Sequence, residues 1–282
     1  MAVQVTLEDH TGNVSHQAKM VDDVPVQRLI PATVTALGLP ITDPAGRPIT
    51  YHLSHSGRRL QEDETLQSAS VQAGDTLTIV PEMTAGASLA QAEQAVLDPL
   101  VALGPPVCVR EPIIGFPQDY HEIARAGGVE TRFSHAAMSC IWMQARAHPR
   151  QEVGGLLVGA VYQEGERFLV AVRTALPGRH TWAGQAFLTF TGRTWIDLVR
   201  RRRAYPESVV VGWYHSHPGL GIFLSSNDRF IHRSFFADYP WYLALVVDPI
   251  SGWWGTFTWD NGEIVSCVEG FTGRSPAGKR RN

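Results

Sequence analysis

Val209-Val210-Val211-Gly212-Trp213-Tyr214-His215-Ser216-His217-Pro218 runs from β-branched and aromatic residues into two histidines and stops at a proline. The composition of the first six residues predicts a strand. Successive side chains on a strand leave opposite faces, so His215 and His217 project from the same side. Pro218 and Gly219 end the element, because proline has no backbone donor for a ladder. Downstream, Ser225-Ser226-Asn227-Asp228 is a run of capping residues ahead of Arg229-Phe230-Ile231-His232-Arg233-Ser234-Phe235-Phe236, which predicts a helix start. Ser225 and Asp228 stand three residues apart and so face the same way on its opening turn. Two imidazoles and one carboxylate suit zinc, and three protein ligands leave a fourth position for water. That pattern belongs to a hydrolytic site rather than a structural one. The other nine histidines lack such spacing and read as structural or exposed, with His232 expected nearest the site.

These residues resemble the JAMM (MPN+) metalloprotease family, whose signature is an upstream glutamate, then His-x-His, seven residues, Ser, two residues and Asp. Pro218–Leu224 supplies the seven residues and Ser226-Asn227 the two. Glu152, in Gln151-Glu152-Val153-Gly154-Gly155-Leu156-Leu157-Val158-Gly159, matches the glutamate. The resemblance covers residues 130–270, roughly half of the chain. It implies one Zn²⁺ per chain held by His215, His217 and Asp228, with a catalytic water made acidic toward a pKa of about 7. Glu152 would take that water's proton and return it to the departing amine. Ser225 would donate to the oxyanion, cap the helix, or both. Gly154 and Gly155 would let a substrate tail approach as an added strand, and Trp213 would line the cleft.

Residues 1–82 read as a separate unit. Val3, Val5 and Leu7 alternate with polar neighbours, Thr11-Gly12-Asn13 turns the chain, and a second strand ends near Val21. Val24–Gly38 has helical apolar spacing, interrupted by Pro31 and stopped by Gly38. Strands follow at Thr50–Leu53 and Thr76–Val80. Hairpin, helix and further strands is the β-grasp order, and with Leu60–Leu66 and Val71–Val80 the unit resembles a small bacterial ubiquitin-like domain. Ubiquitin-like modifiers end in Gly-Gly, whereas this chain reads Pro81-Glu82-Met83-Thr84-Ala85-Gly86-Ala87. Residues 83–128 form a linker: Ser88 and Gln91 predict a capped short helix over Leu89–Leu97, Gly104-Pro105-Pro106 interrupts it, and Pro112 and Pro117 mark irregular, extended chain. Residues 129–270 carry the metal site, and 271–282 read as a disordered basic tail.

In the metal-binding unit the pattern predicts a helix from Ser134 to Ala147 and a hairpin around Glu164-Gly165. A helix over Arg193–Arg203, a buried strand at Tyr242–Val247 and a hairpin at Asn261-Gly262 follow. The fold class is α/β (α+β): a ubiquitin-like β-grasp domain followed by the deaminase-like α/β sandwich with a mixed sheet that the JAMM resemblance implies.

The 282 residues favour two domains. A net charge of −3 gives no sign of nucleic-acid binding, and Arg200–Arg203 reads as the solvated end of a helix. Three cysteines without a CxxC pair fit a reducing cytoplasm. No export signal or membrane-spanning stretch is seen. The resemblance implies a zinc peptidase or isopeptidase acting on the C-terminal tail of a ubiquitin-like protein, its own fused domain included, alongside activating and conjugating enzymes of one pathway. Two other readings stay open: an inactive scaffold, and a peptidase acting on a sulfur-carrier β-grasp protein.

Overall fold

The computed structural model describes residues 1–43, 46–85, 101–109, 113–114, 122–184 and 187–269. The N-terminal half contains β1 (Ala2–Glu8), β2 (Val14–Val21), α1 (Val26–Ala36), β3 (Tyr51–His55), β4 (Arg58–Arg59), β5 (Thr76–Pro81), β6 (Met83–Ala85) and β7 (Val101–Val109). Six of these strands form one sheet in the order β4-β3-β5-β1-β2-β7, with β1 and β5 parallel at its centre. The alternation read from β1 buries Val5 and Leu7 against Leu29 of α1, Leu53 and Leu77. Pro31 lies inside α1 on its exposed face.

The remainder comprises β8 (Ile113–Ile114), β9 (Glu122–Ala126), β10 (Val129–Phe133), α2 (His135–Ala147), β11 (Gly154–Glu164), β12 (Arg167–Pro177), β13 (Trp182–Gly184), β14 (Phe187–Phe190), α3 (Gly192–Arg202), β15 (Val209–Ser216), α4 (Ser226–Phe235), β16 (Leu243–Val247), β17 (Trp254–Asp260) and β18 (Glu263–Glu269). Its main sheet runs β18-β17-β16-β15-β11-β12-β10-β9, with β8 also on β11. The sheet is mixed, since β15–β16 and β10–β12 are parallel while β11 is antiparallel to both β12 and β15. The architecture is therefore α+β. Asn261 and Gly262 both have positive φ at the β17–β18 turn, as the Asn-Gly pair demands. No helix among the described residues is long and apolar enough to cross a membrane.

The connector departs from expectation where it is described. The helix expected at 89–97 and the tail at 271–282 lie outside the described residues. Residues 101–109, where Gly104-Pro105-Pro106 was expected only to break a helix, form β7 on the β2 edge, with register shifts opposite those residues. An edge strand has one unpaired side, and the register shifts fall where the prolines lack donors. Gly127-Gly128 is a hairpin turn joining β9 to β10, so β9 shares the sheet of the metal-binding unit.

The β1–β2 turn is also more than a surface turn. His10, Thr11 and Asn13 are buried, because the turn is packed into the second unit. Asn13 Nδ2 donates to Val210 O at 2.8 Å and to the Tyr242 hydroxyl at 2.9 Å, and Val210 N donates back to Asn13 Oδ1. Pairing with β16 starts only at Gly212, so Asn13 satisfies the portion of β15 that β16 does not reach. His10 sits edge-on to Trp195, Phe235 and Phe236, and burial holds its pKa below the ordinary value. Asn13→Ala strands the buried carbonyl and amide of Val210 and leaves the Tyr242 hydroxyl with Thr11 alone, an expected loss of about 2–3 kcal/mol. In thermal melts that is a midpoint roughly 5–10 °C lower; an unchanged midpoint would show that this turn does not bind the two units.

Candidate active site

Strand β15 and the residue that follows it deliver His215 and His217 to one face, and Ser216 between them points to the other. There Ser216 Oγ accepts from Val153 N at 3.0 Å while Ser216 N donates to Val153 O at 2.8 Å. This two-point clamp holds the residue next to Glu152, and so brings the glutamate across from the histidines. His217 N donates to Val247 O, and Asp248 Oδ1 accepts from Gly219 N at 2.9 Å, which fixes the loop that follows. Helix α4 opens with a reciprocal cap: Asp228 N donates to Ser225 Oγ, and Ser225 N donates to Asp228 Oδ2 at 2.8 Å.

These elements converge. His215 Nε2 and His217 Nε2 are 3.0 Å apart, and Asp228 Oδ2 lies 3.4 Å and 3.6 Å from them. A tetrahedral zinc with bonds of about 2.0–2.1 Å has donor–donor edges of about 3.3 Å. The triangle fits such an ion, and its three ligand atoms all lie within 4.8 Å of one another. All three side chains are buried, and Asp228 Oδ1 is a buried oxygen without a hydrogen-bond partner among the described residues. Glu152 Oε1 stands 3.9 Å from His217 Nε2, outside the triangle but within reach of a water at its open corner.

The charges are mutually dependent. Burial would raise the Asp228 pKa, but His215 and His217 hold it well below the carboxylate range. Burial likewise opposes protonation of His217, yet Asp228 and Glu152 lift its pKa above the ordinary value, while His215 is driven down by burial. Burial pushes Glu152 up to about 7, with His217 opposing and Asp228 reinforcing the shift. A carboxyl group titrating near neutrality is suited to take and return a proton.

Residues 134–240 match the family model described as JAB1/Mov34/MPN/PAD-1 ubiquitin protease, and residues 2–79 match that of the WXG100 protein secretion system (Wss) protein YukD. Residues 134–240 form a JAB/MPN domain. A ubiquitin-like domain precedes it. The chain is 41% identical over 126 residues to the 26S proteasome regulatory subunit rpn11 of Schizosaccharomyces pombe, covering 44% of this chain and 40% of that one. It is 35% identical over 121 residues to COP9 signalosome complex subunit 5 of Gibberella zeae, covering 42% and 34% respectively. The chain thus spans less than half the length of either relative. Among solved structures, it resembles a Caldiarchaeum subterraneum ubiquitin, at 21% identity and a TM-score of 0.23, covering 28% of this chain and 91% of that one.

Three sequence expectations about substrate contacts do not fit the geometry of the JAB/MPN domain. Trp213 is only 1% exposed and stacks on His215 at 4.7 Å, so it backs a ligand from inside the core and cannot line a cleft. Its indole donates to Nδ1 of His232, which burial pushes down to about 3 and so keeps neutral. Gly154 and Gly155 cannot receive an added strand, because β12 and β15 occupy both edges of β11. Their lack of side chains serves packing: a Cβ would lie 2.5 Å from Tyr214 O at Gly154 and 2.1 Å from Leu176 O at Gly155. The aromatic surface at the site is Phe223, 45% exposed with its ring 4.7 Å from that of His217. Phe223 and Ser216 were both legible inside the matched spacing, as an aromatic in the loop and the opposite-face residue of His-x-His. Trp241 and Trp254 are buried, whereas Trp253 is exposed.

Proposed function

We propose that the JAB/MPN domain is a zinc-dependent peptidase or isopeptidase cutting the bond after the C-terminal tail of a ubiquitin-like protein. The observation that carries this is the His215–His217–Asp228 triangle of tetrahedral dimensions with Glu152 beside its open corner. When bound, zinc would acidify a water and polarise the scissile carbonyl. Glu152, poised near neutrality, takes the proton from the attacking water and passes it to the leaving amine. The Ser225 oxygen already accepts from Asp228 N, which leaves its own proton available to the developing oxyanion. The substrate class follows from the ubiquitin-protease description of the matching family and the fused ubiquitin-like domain. Activating and conjugating enzymes of the same pathway are the partners this reading implies, in a reducing cytoplasm.

The test offers β-grasp proteins bearing C-terminal extensions to zinc-loaded wild type and Glu152→Ala, and locates cut bonds by mass spectrometry. Cleavage after the tail by wild type alone is expected; intact substrates across the panel would count against the reading. Ser225→Ala removes an oxyanion donor, with an expected rate loss of about 10²–10³. Ser225→Thr keeps the hydroxyl and should retain most of the rate. If Ser225→Ala lowers the melting temperature but leaves the rate unchanged, Ser225 is a helix cap and nothing more.

A further inference from the structure

The strand that leaves the ubiquitin-like domain does not hang free. One residue after β5, β6 departs the ubiquitin-like sheet and adds antiparallel to β14, with Met83 opposite Phe190, Thr84 opposite Thr189 and Ala85 opposite Leu188. It also packs against α4, the helix that bears Asp228. Strand β14 lies close to the ligand strand: a Cβ on Gly154 would be 2.7 Å from Leu188 Cδ2 and 3.0 Å from Phe190 Cζ, and Gly154 pairs with His215. The other edge of β14 is taken by β13. Its remaining edge is a ladder position where an extended segment can add, and the chain's own residues fill it.

The body of the ubiquitin-like domain is anchored so as to keep them there. Glu82 Oε1 accepts from Gly192 N at 3.3 Å, and the His52 ring fills the space over Gly192, where a Cβ would come within 2.1 Å of it. Asn13 and His10 anchor the far side.

We infer that residues 83–85 occupy the β14 edge in cis and exclude any incoming extended tail from it. This rests on the tail-hydrolase reading. A tethered segment acts at an effective concentration of about 1 mM, so a free tail with equal contacts at about 1 μM is outcompeted roughly a thousandfold. The N-terminal domain is then a built-in competitor of the enzyme.

The test uses the full chain, zinc-loaded and carrying Glu152→Ala, with Met83→Pro or Thr84→Pro added. Adjacent residues of a strand turn their amides to opposite sides, so one proline deletes a β6–β14 donor and the other serves as its control. The probe is a fluorescein-labelled peptide with the sequence of residues 76–85, read by fluorescence anisotropy. Hydrogen exchange at residues 187–190 is followed in parallel. At least tenfold tighter peptide binding in one proline variant, with faster exchange at β14, is expected. Equal affinity in the parent and both variants overturns the inference. So does rapid exchange at β14 in the parent, which needs no variant to fold. Neither readout requires turnover, so absence of cleavage by wild type would remove the hydrolase reading while leaving occupancy of the β14 edge measurable.

Discussion

Glu152→Ala loses at least about 10³-fold in the hydrolysis rate while keeping its zinc. The magnitude follows because removing a proton acceptor from this site forfeits general-base and general-acid assistance together, each typically 10²–10⁴. The retained metal follows because Glu152 Oε1 lies 3.9 Å from the nearest ligand nitrogen and outside the triangle. Glu152→Gln separates charge from shape: it preserves the packing of a buried side chain but cannot accept the proton, and should be as slow as alanine. Single-turnover assays with parallel metal analysis read both quantities. A glutamine variant of near-wild-type rate would remove Glu152 from the proton path.

The second large effect is on the metal. His215→Ala with His217→Ala leaves one carboxylate where three ligands converged, so zinc content should fall from one per chain to a background level and activity with it. Bound metal also stabilises the folded state by mass action, about 2.7 kcal/mol at a hundred times its dissociation constant. For a chain of this size that is a midpoint shift of roughly 5–10 °C. Zinc should therefore raise the melting temperature of wild type by about that amount and leave the double variant unmoved. Equal zinc content in both proteins would mean the ion sits elsewhere.

Local pattern carried the elements whose cause is local. Asn261-Gly262 announces its hairpin, and Ser134 its helix, where its hydroxyl accepts from Ala137 N. The alternation through His215 and His217 and the capping run at Ser225 predicted which side chains would meet, and β15, α4 and the residues flanking β15 and β11 bring them within a few ångströms. What stayed hidden depends on the opposite side of a contact. Nothing in Thr11-Gly12-Asn13 distinguishes a solvated turn from one filling a gap beside β15, because the gap belongs to residues almost 200 positions away. Trp213 follows the same rule: adjacency to a ligand in sequence says only that the strand continues, and alternation with the fold behind it turned the ring into the core. Gly154 and Gly155 signal close approach, but the approaching backbone is the protein's own β12 and β15. Prolines around Gly104-Pro105-Pro106 argue against a central strand, and β7 evades that argument by lying at an edge.

X-ray absorption at the zinc K-edge addresses the metal site without passing through substrate or rate. Purified wild type should show zinc with about four nitrogen or oxygen neighbours at about 2.0–2.1 Å, two of them with the outer-shell scattering of imidazole. Asp228→Ala should lower the metal content, since it removes one corner of the triangle. Sulfur scattering near about 2.3 Å, or a spectrum unchanged by loss of His215 and His217, would contradict the account.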